Sequence, residues 1–227
     1  MPVTLGSYTF SEPLTAVAEA LEEIGGRDAR QIRLQGMLAQ FETPEALEAE
    51  FDALLAAASA SEAVALSLRT GRQFFVRRTG FKRELSRDPL VGAFTLQLEA
   101  LPAYEETQAE TVVTWYFAAS GATRNFTTAG NLATVPALEL QAAGVLVNPS
   151  VSDGARTLSY DGTLAAGAVL LCDSAAGVVT LDGEDVTPYT SGVFPQIAPA
   201  GTVFTYTDAP DSSHAGILIV RYRDRWW

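Results

Sequence analysis

The sequence predicts a mainly β protein in two parts, a first domain of strands with helix followed by an antiparallel β-sandwich. Three observations predict it. Helical periodicity is confined to the first hundred or so residues, short apolar runs separated by Gly, Asn, Asp and Pro fill the chain from Thr111 onward, and composition shifts at Leu101-Pro102-Ala103-Tyr104-Glu105-Glu106. Up to Tyr104 there are 10 basic and 14 acidic residues, and after it 5 and 13, so the parts carry −4 and −8. The expected division is residues 1–106 and 107–227.

In the first part, Thr43-Pro44-Glu45 signals a helix start. The hydroxyl can cap free amides, proline has the φ of a first helical position, and the acid meets the positive dipole end. Leu47, Phe51, Leu54, Leu55 and Ala58 then form one apolar stripe, with Glu45, Glu48, Glu50 and Asp52 outside it and an exit near Ser59-Ala60-Ser61. A weaker helical pattern covers Leu14 to Ile24 and stops at Gly25-Gly26. Three segments alternate as half-buried strands: Ile32 to Leu38, Val64 to Leu68, and Phe94 to Leu98. Thr70-Gly71-Arg72 turns the second of these into Gln73-Phe74-Phe75-Val76-Arg77, and Phe74, Phe75 and Phe81 are assigned to the core.

The second part shows apolar runs at Val135 to Leu140, Val145 to Val147, Ala168 to Cys172, Val178 to Leu181, Thr202 to Tyr206 and Ile217 to Tyr222. That spacing fits a β-sandwich. The Asp-Gly pairs of Tyr160-Asp161-Gly162 and Leu181-Asp182-Gly183 read as tight hairpin turns.

Composition narrows the function classes. The chain has 227 residues, 48% hydrophobic and 19% charged, which is globular. Its net charge of −12 argues against avid non-specific binding of nucleic acid by the surface as a whole. Met1-Pro2-Val3-Thr4-Leu5-Gly6 lacks the basic-then-apolar pattern of a secretory signal, and no run of about 18 apolar residues suggests a membrane span. The expectation is a soluble chain made in a cytoplasm. Cys172, the one cysteine, cannot staple its own chain and reads as a small buried hydrophobe. His214 and Lys82 are the only histidine and lysine, and phosphate-loop, dinucleotide, nucleophile-elbow and zinc-helix motifs are missing. No catalytic, metal or cofactor residue is therefore assigned, and the expectation is a protein that is not an enzyme. His214, in the turn-rich Ala209-Pro210-Asp211-Ser212-Ser213-His214, reads as a solvated loop residue.

Three constellations remain. Asp182, Glu184 and Asp185 read as a solvated hairpin rather than a calcium site, lacking the EF-hand spacing. Arg69, Arg72, Arg77, Arg78, Lys82, Arg83 and Arg87 place seven of the 15 basic residues within 19 positions. They are a candidate subunit interface meeting acidic partners, a path for a polyanion, or the solvated face of two strands. Trp226 and Trp227 end the chain directly after an apolar strand, where burial against the first domain or a neighbouring subunit is expected.

The order of these segments resembles the distal tail protein (Dit) family of long-tailed, siphovirus-type bacteriophages and gene transfer agents. The resemblance rests on the opening Leu5-Gly6-Ser7-Tyr8-Thr9-Phe10, on Gly71-Arg72, on Gly92 to Tyr104 as a strand with a Pro-aromatic exit, and on Gly130 to Leu140. It continues through Leu164 to Asp173, Val178 to Gly183, Phe194-Pro195 before Pro199-Ala200-Gly201-Thr202, and the closing Val220-Arg221-Tyr222-Arg223. Ile197-Ala198-Pro199-Ala200-Gly201 carries one residue more than the family's usual turn. The resemblance implies an α+β ring-forming first domain and a galectin-like second domain in a structural virion protein. It also implies a baseplate hub, a homohexameric ring joining the tail tube protein to the tail tip or tail-associated hub protein. The tape measure protein is a further implied partner, DNA is passing cargo only, and assembly takes place in the host bacterial cytoplasm. The alternative is a carbohydrate-binding β-sandwich module contacting the host surface, for which Trp115 and Tyr116 are the aromatic candidates, although both read better as strand residues.

Overall fold

The computed structural model describes residues 3–11, 13–24, 26–59, 61–87 and 90–227. Gly25 of the expected turn, Ala60 of the expected helix exit, and Met1 and Pro2 of the opening lie outside the described residues. The chain divides into two compact units, Met1–Gln108 with Trp227, and Ala109–Trp226.

The first unit is one antiparallel sheet with a helix on one face. Its strands are β1 (Thr4–Leu5), β2 (Tyr8–Thr9), β3 (Leu14–Ile24), β4 (Arg27–Leu38), β5 (Val64–Ser67), β6 (Arg72–Arg87), β7 (Leu90–Ala100) and β8 (Glu105–Thr107). The order is β2-β1-β5-β6-β7-β4-β3, with β8 against the start of β6. The helix α1 (Pro44–Ala57) begins as the sequence predicts: Thr43 is extended and its hydroxyl accepts from the Ala46 amide at 3.2 Å. Its buried stripe, Leu47, Phe51 and Leu54, packs on Ile32, Leu34, Phe74, Val76, Leu96 and Leu98. Gly92 permits that approach, because a Cβ there would lie 2.5 Å from the Phe51 ring and 3.0 Å from Leu47. Phe74 is buried, while Phe81 is half-buried against the same core.

Within the first unit, one element departs from expectation. Leu14–Ile24 is not a helix but β3, paired with β4 from Leu14↔Gly36 to Ile24↔Arg27. Its Ala, Leu and Glu residues favour helix by small increments per residue, and a register shared along nearly the whole of β4 outweighs them.

The second unit packs two larger sheets around one core. Its strands are β9 (Thr111–Phe117), β10 (Thr123–Phe126), β11 (Ala137–Ala142), β12 (Leu146–Val147), β13 (Ser150–Ser152), β14 (Thr157–Tyr160), β15 (Thr163–Leu164), β16 (Val169–Asp173), β17 (Val178–Leu181), β18 (Glu184–Asp185), β19 (Thr190–Gly192), β20 (Thr202–Thr207) and β21 (Gly216–Tyr222). One sheet runs β10-β20-β13-β14-β19 and the other β18-β17-β16-β11-β21-β9, with β12 and β15 forming a small pair. Inward residues alternate along each strand, as in Leu138 and Leu140, Leu170 and Cys172, Phe204 and Tyr206, Leu218 and Val220. Burial pushes the Cys172 thiol up to about 12, as its apolar surroundings demand.

Asp182 and Gly183 have φ of 48° and 91°, so they close the β17–β18 hairpin as a two-residue turn of the predicted kind. Asp161-Gly162 does not make the expected hairpin. β14 pairs with β13 and β19, while β15 pairs with β12, so this Asp-Gly pair carries the chain from one sheet to another. Its backbone bonds go elsewhere: the Asp161 amide donates to Tyr189 O and the Gly162 amide to Asn148 Oδ1.

Candidate assembly interface

The seven clustered cations separate into two groups once the strands are placed. Arg69 and Arg72 flank the β5–β6 turn and are held by carboxylates of their own unit. Arg69 donates to Glu105 at 2.6 Å and to Glu19 at 2.7 Å, and Arg72 stands 3.7 Å from Glu105. Glu19 also accepts from Arg30 at 2.8 Å, and Arg30 in turn reaches Ala103 O and lies over the Phe74 ring. Glu105 is buried between its two arginines, and its hydrogen bond is the main reason the Arg69 pKa is raised. These two residues close the first unit internally.

Arg77, Arg78, Lys82, Arg83 and Arg87 follow on the exposed length of β6. Lys82 pairs with Glu84 at 2.6 Å, and Arg83 lies 3.8 Å from Asp52 and over the Phe51 ring. Among the described residues, Arg77, Arg78 and Arg87 make no ion pair. β5 covers β6 only at Phe74 to Val76 and β8 only at Arg72 and Gln73, so from Arg77 to Arg87 one edge of β6 meets no described strand. The other long edge of this sheet is β3, exposed nearly throughout, with Val17 at 46% and Leu21 at 56%.

The sheet face opposite α1 is polar and concave. Arg33, Gln35, Lys82, Glu84, Thr95 and Gln97 border a depression of about 620 Å³. Cross-strand bonds tie it together, Gln31 to Glu99 at 3.1 Å and Gln35 to Thr95 at 3.3 Å.

Trp226 is half-buried and Trp227 is 49% exposed. In the second unit, Trp115 is a core residue, edge-on to Phe117 and Phe126, and is removed from any sugar platform. Tyr116, next in β9, is 72% exposed. The hairpin acids have local roles: Asp182 accepts from the Val169 amide and Asp185 from the Thr187 amide, both at 2.9 Å. The Thr187 hydroxyl and amide hold Asp185 below the usual carboxylate range.

His214, with φ of 57°, sits 2.7 Å from the buried Asp208 carboxylate, which also accepts from the Tyr206 hydroxyl at 2.9 Å. Burial, then this bond, pushes the Tyr206 phenol well up. The loop histidine is a staple rather than a solvated tip. Sequence spacing could not show it, because Asp208 and His214 meet only when β20 and β21 enter different sheets.

A helix-bearing antiparallel sheet followed by a sandwich makes this a mainly β fold, and a solved phage tail protein shares it. The crystal structure of SPP1 Dit (gp 19.1), described as a paradigm of the hub adsorption apparatus in phages infecting Gram-positive bacteria, superposes on it with a TM-score of 0.73. That match covers 100% of this chain and 99% of the other at 12% sequence identity, a likeness of fold. No family model matches the chain. No curated protein matches it either.

Proposed function

We propose that the chain is a structural, non-enzymatic distal tail protein, a baseplate hub component of a phage or gene-transfer-agent tail. The observation that carries this is the fold match across both units from end to end. On this reading the first unit closes into a ring of six copies joining the tail tube protein to the tail-tip hub, with the tape measure protein and DNA passing through. The protein works in the virion tail after assembly in the host cytoplasm. The amide-rich concave face, with Gln31, Gln35 and Gln97 and the opposed charges of Arg33 and Glu99, would hold a passing phosphate backbone weakly. Light scattering and negative-stain microscopy of the purified chain test the reading. A ring is expected, and a monomer at every accessible concentration overturns it.

Exposed Tyr116 supports a second reading, a glycan-contacting sandwich. It stands in register with Ile217, which pairs with Gln141, so an aromatic ring and a polar amide share one sheet surface. Glycan-array binding lost in Tyr116→Ala would favour it.

A further inference from the structure

We propose that residues 101–108, the segment on which the chain leaves the first unit, form a releasable strap, latched by the ion chain Arg30-Glu19-Arg69-Glu105-Arg72. The device lies within the first unit and works whether or not the chain forms a ring.

The latch crosses the sheet. Glu19 is on β3, the last strand in the order, whereas Arg69 and Arg72 flank the turn between β5 and β6, and β7 and β4 stand between β6 and β3. Glu19 nevertheless accepts from Arg69 at 2.7 Å and from Arg30 at 2.8 Å, so the sheet curls until its far strand meets that turn. The same groups grip the strap. Arg69 Nη1 donates to Glu105 at 2.6 Å, Arg72 stands 3.7 Å from the other carboxylate oxygen, and Arg30 Nε donates to Ala103 O at 2.9 Å. Within the first unit the strap's remaining ties are neutral. β8 pairs with β6 at Arg72↔Thr107 and Gln73↔Glu106, while Gln108 donates from its backbone to Gly71 O at 3.0 Å and from its side chain to Ser67 Oγ at 2.7 Å.

Glu105 makes the strap two-state. Its side chain is 3% exposed, and a buried carboxylate is stable only while charged donors neutralise it. If Arg69 withdraws, Arg72 is left at 3.7 Å, beyond hydrogen-bond length, and the carboxylate regains water only by carrying β8 off β6. Arg69 is the point where this begins. It is 46% exposed, and its one guanidinium spans both carboxylates, with Nη2 on Glu19 and Nη1 on Glu105. Glu19 thus acts on the strap through Arg69 as well as through Arg30, without touching it. Whatever engages β3 and draws Glu19 aside loosens the hold on Glu105, which couples the outer strand of the sheet to the exit of the chain.

Hydrogen exchange of the full chain tests this, read at residues 101–108 and, for the rest of the unit, at β4 and β7. Arg69→Gln cuts both bridges and is expected to speed exchange of the strap about tenfold or more, the effect of one charged hydrogen bond, with β4 and β7 protected as in the wild type. Glu19→Gln should speed it less, and Glu22→Gln, on the same strand but outside the ion chain, should leave it unchanged. In a Glu105→Gln background the strap carries no buried charge, so Glu19→Gln should add little to it. Chymotrypsin cleavage after Tyr104 should rise in the same order as exchange. In the wild type, added salt should release the strap before β7, because solvent reaches Arg69. Fully additive effects of Glu19→Gln and Glu105→Gln, or a response to Glu22→Gln equal to that of Glu19→Gln, overturn the latch. If Arg69→Gln unfolds the unit, the wild-type salt series decides. A strap that exchanges there only together with β4 and β7 belongs to one cooperative sheet, and the proposal fails.

Discussion

The two units deal with strand edges in opposite ways. In the second, three of the four edge strands of the larger sheets are short, β10, β18 and β19, and the fourth, β9, has its Thr114 carbonyl capped by the Arg124 guanidinium at 2.9 Å. In the first, β3 and the outer half of β6 leave long stretches of backbone without a neighbouring strand among the described residues. A short or capped edge exposes few amides and finishes a sheet, whereas a long open one is available for continuation. The difference also shows in how carboxylates are used. In the second unit, Asp153 holds a loop by accepting from the amides of Ala155, Arg156 and Gln196 at 2.6 to 2.8 Å. In the first, Glu22 and Glu23 point their charge to solvent along an edge.

Phe51→Ala should separate the two units most clearly. It empties the centre of the helix-sheet core and is expected to cost about 3–5 kcal/mol. Hydrogen exchange should show the loss in β4 and β7, with β11 and β16 keeping their protection. Equal loss in both sheets would mean that the units do not fold independently and that the division near residue 106 is wrong.

Asp153→Ala should act on the other side, removing about 2–3 kcal/mol from the second unit. Acid sharpens the point. Burial would raise the Asp153 pKa, but hydrogen bonds from Gln196, Arg156 and Ala155 outweigh it and hold the value below the usual 3.8. A carboxyl lower in the folded state than in the unfolded one stabilises fully above the unfolded value. That contribution disappears as pH falls from about 3.8 through the folded value, so acid unfolding of the second unit should be less steep in Asp153→Asn.

Smaller effects follow. Thr43→Ala removes the cap of α1 and should lower the first unit's stability by about 1 kcal/mol, read from its denaturant midpoint. Glu139→Gln breaks a cross-strand pair with Arg221 at 2.9 Å on a partly solvated face, for about 0.5 kcal/mol or less. If salt fails to diminish that last difference, the pair is more shielded than its exposure indicates.

Much of this architecture is legible in the residues because its causes are local. Thr43-Pro44 starts a helix, Asp182-Gly183 reverses a strand, and alternating apolar residues give β4, β5, β7, β16, β20 and β21. These depend on side chains a few positions apart and on backbone conformations that individual residues permit. The open edges could not be read this way. Leu14–Ile24 has residues that favour helix, and its strand state depends on a partner that begins only after the turn at Gly26.

The basic cluster shows the same limit. Its seven residues are close in sequence, but Glu19 and Glu105, far from them along the chain, take Arg69 and Arg72 out of it and leave Arg77, Arg78 and Arg87 along an edge. By itself the sequence determined composition, net charge, the helix start, the turn chemistry and the order of strand-forming segments. Tertiary structure alone decided which strands have one neighbour and which have two, and which charges find partners. Both are properties of pairings between distant segments, whose energy exists only after the chain has closed the loops between them.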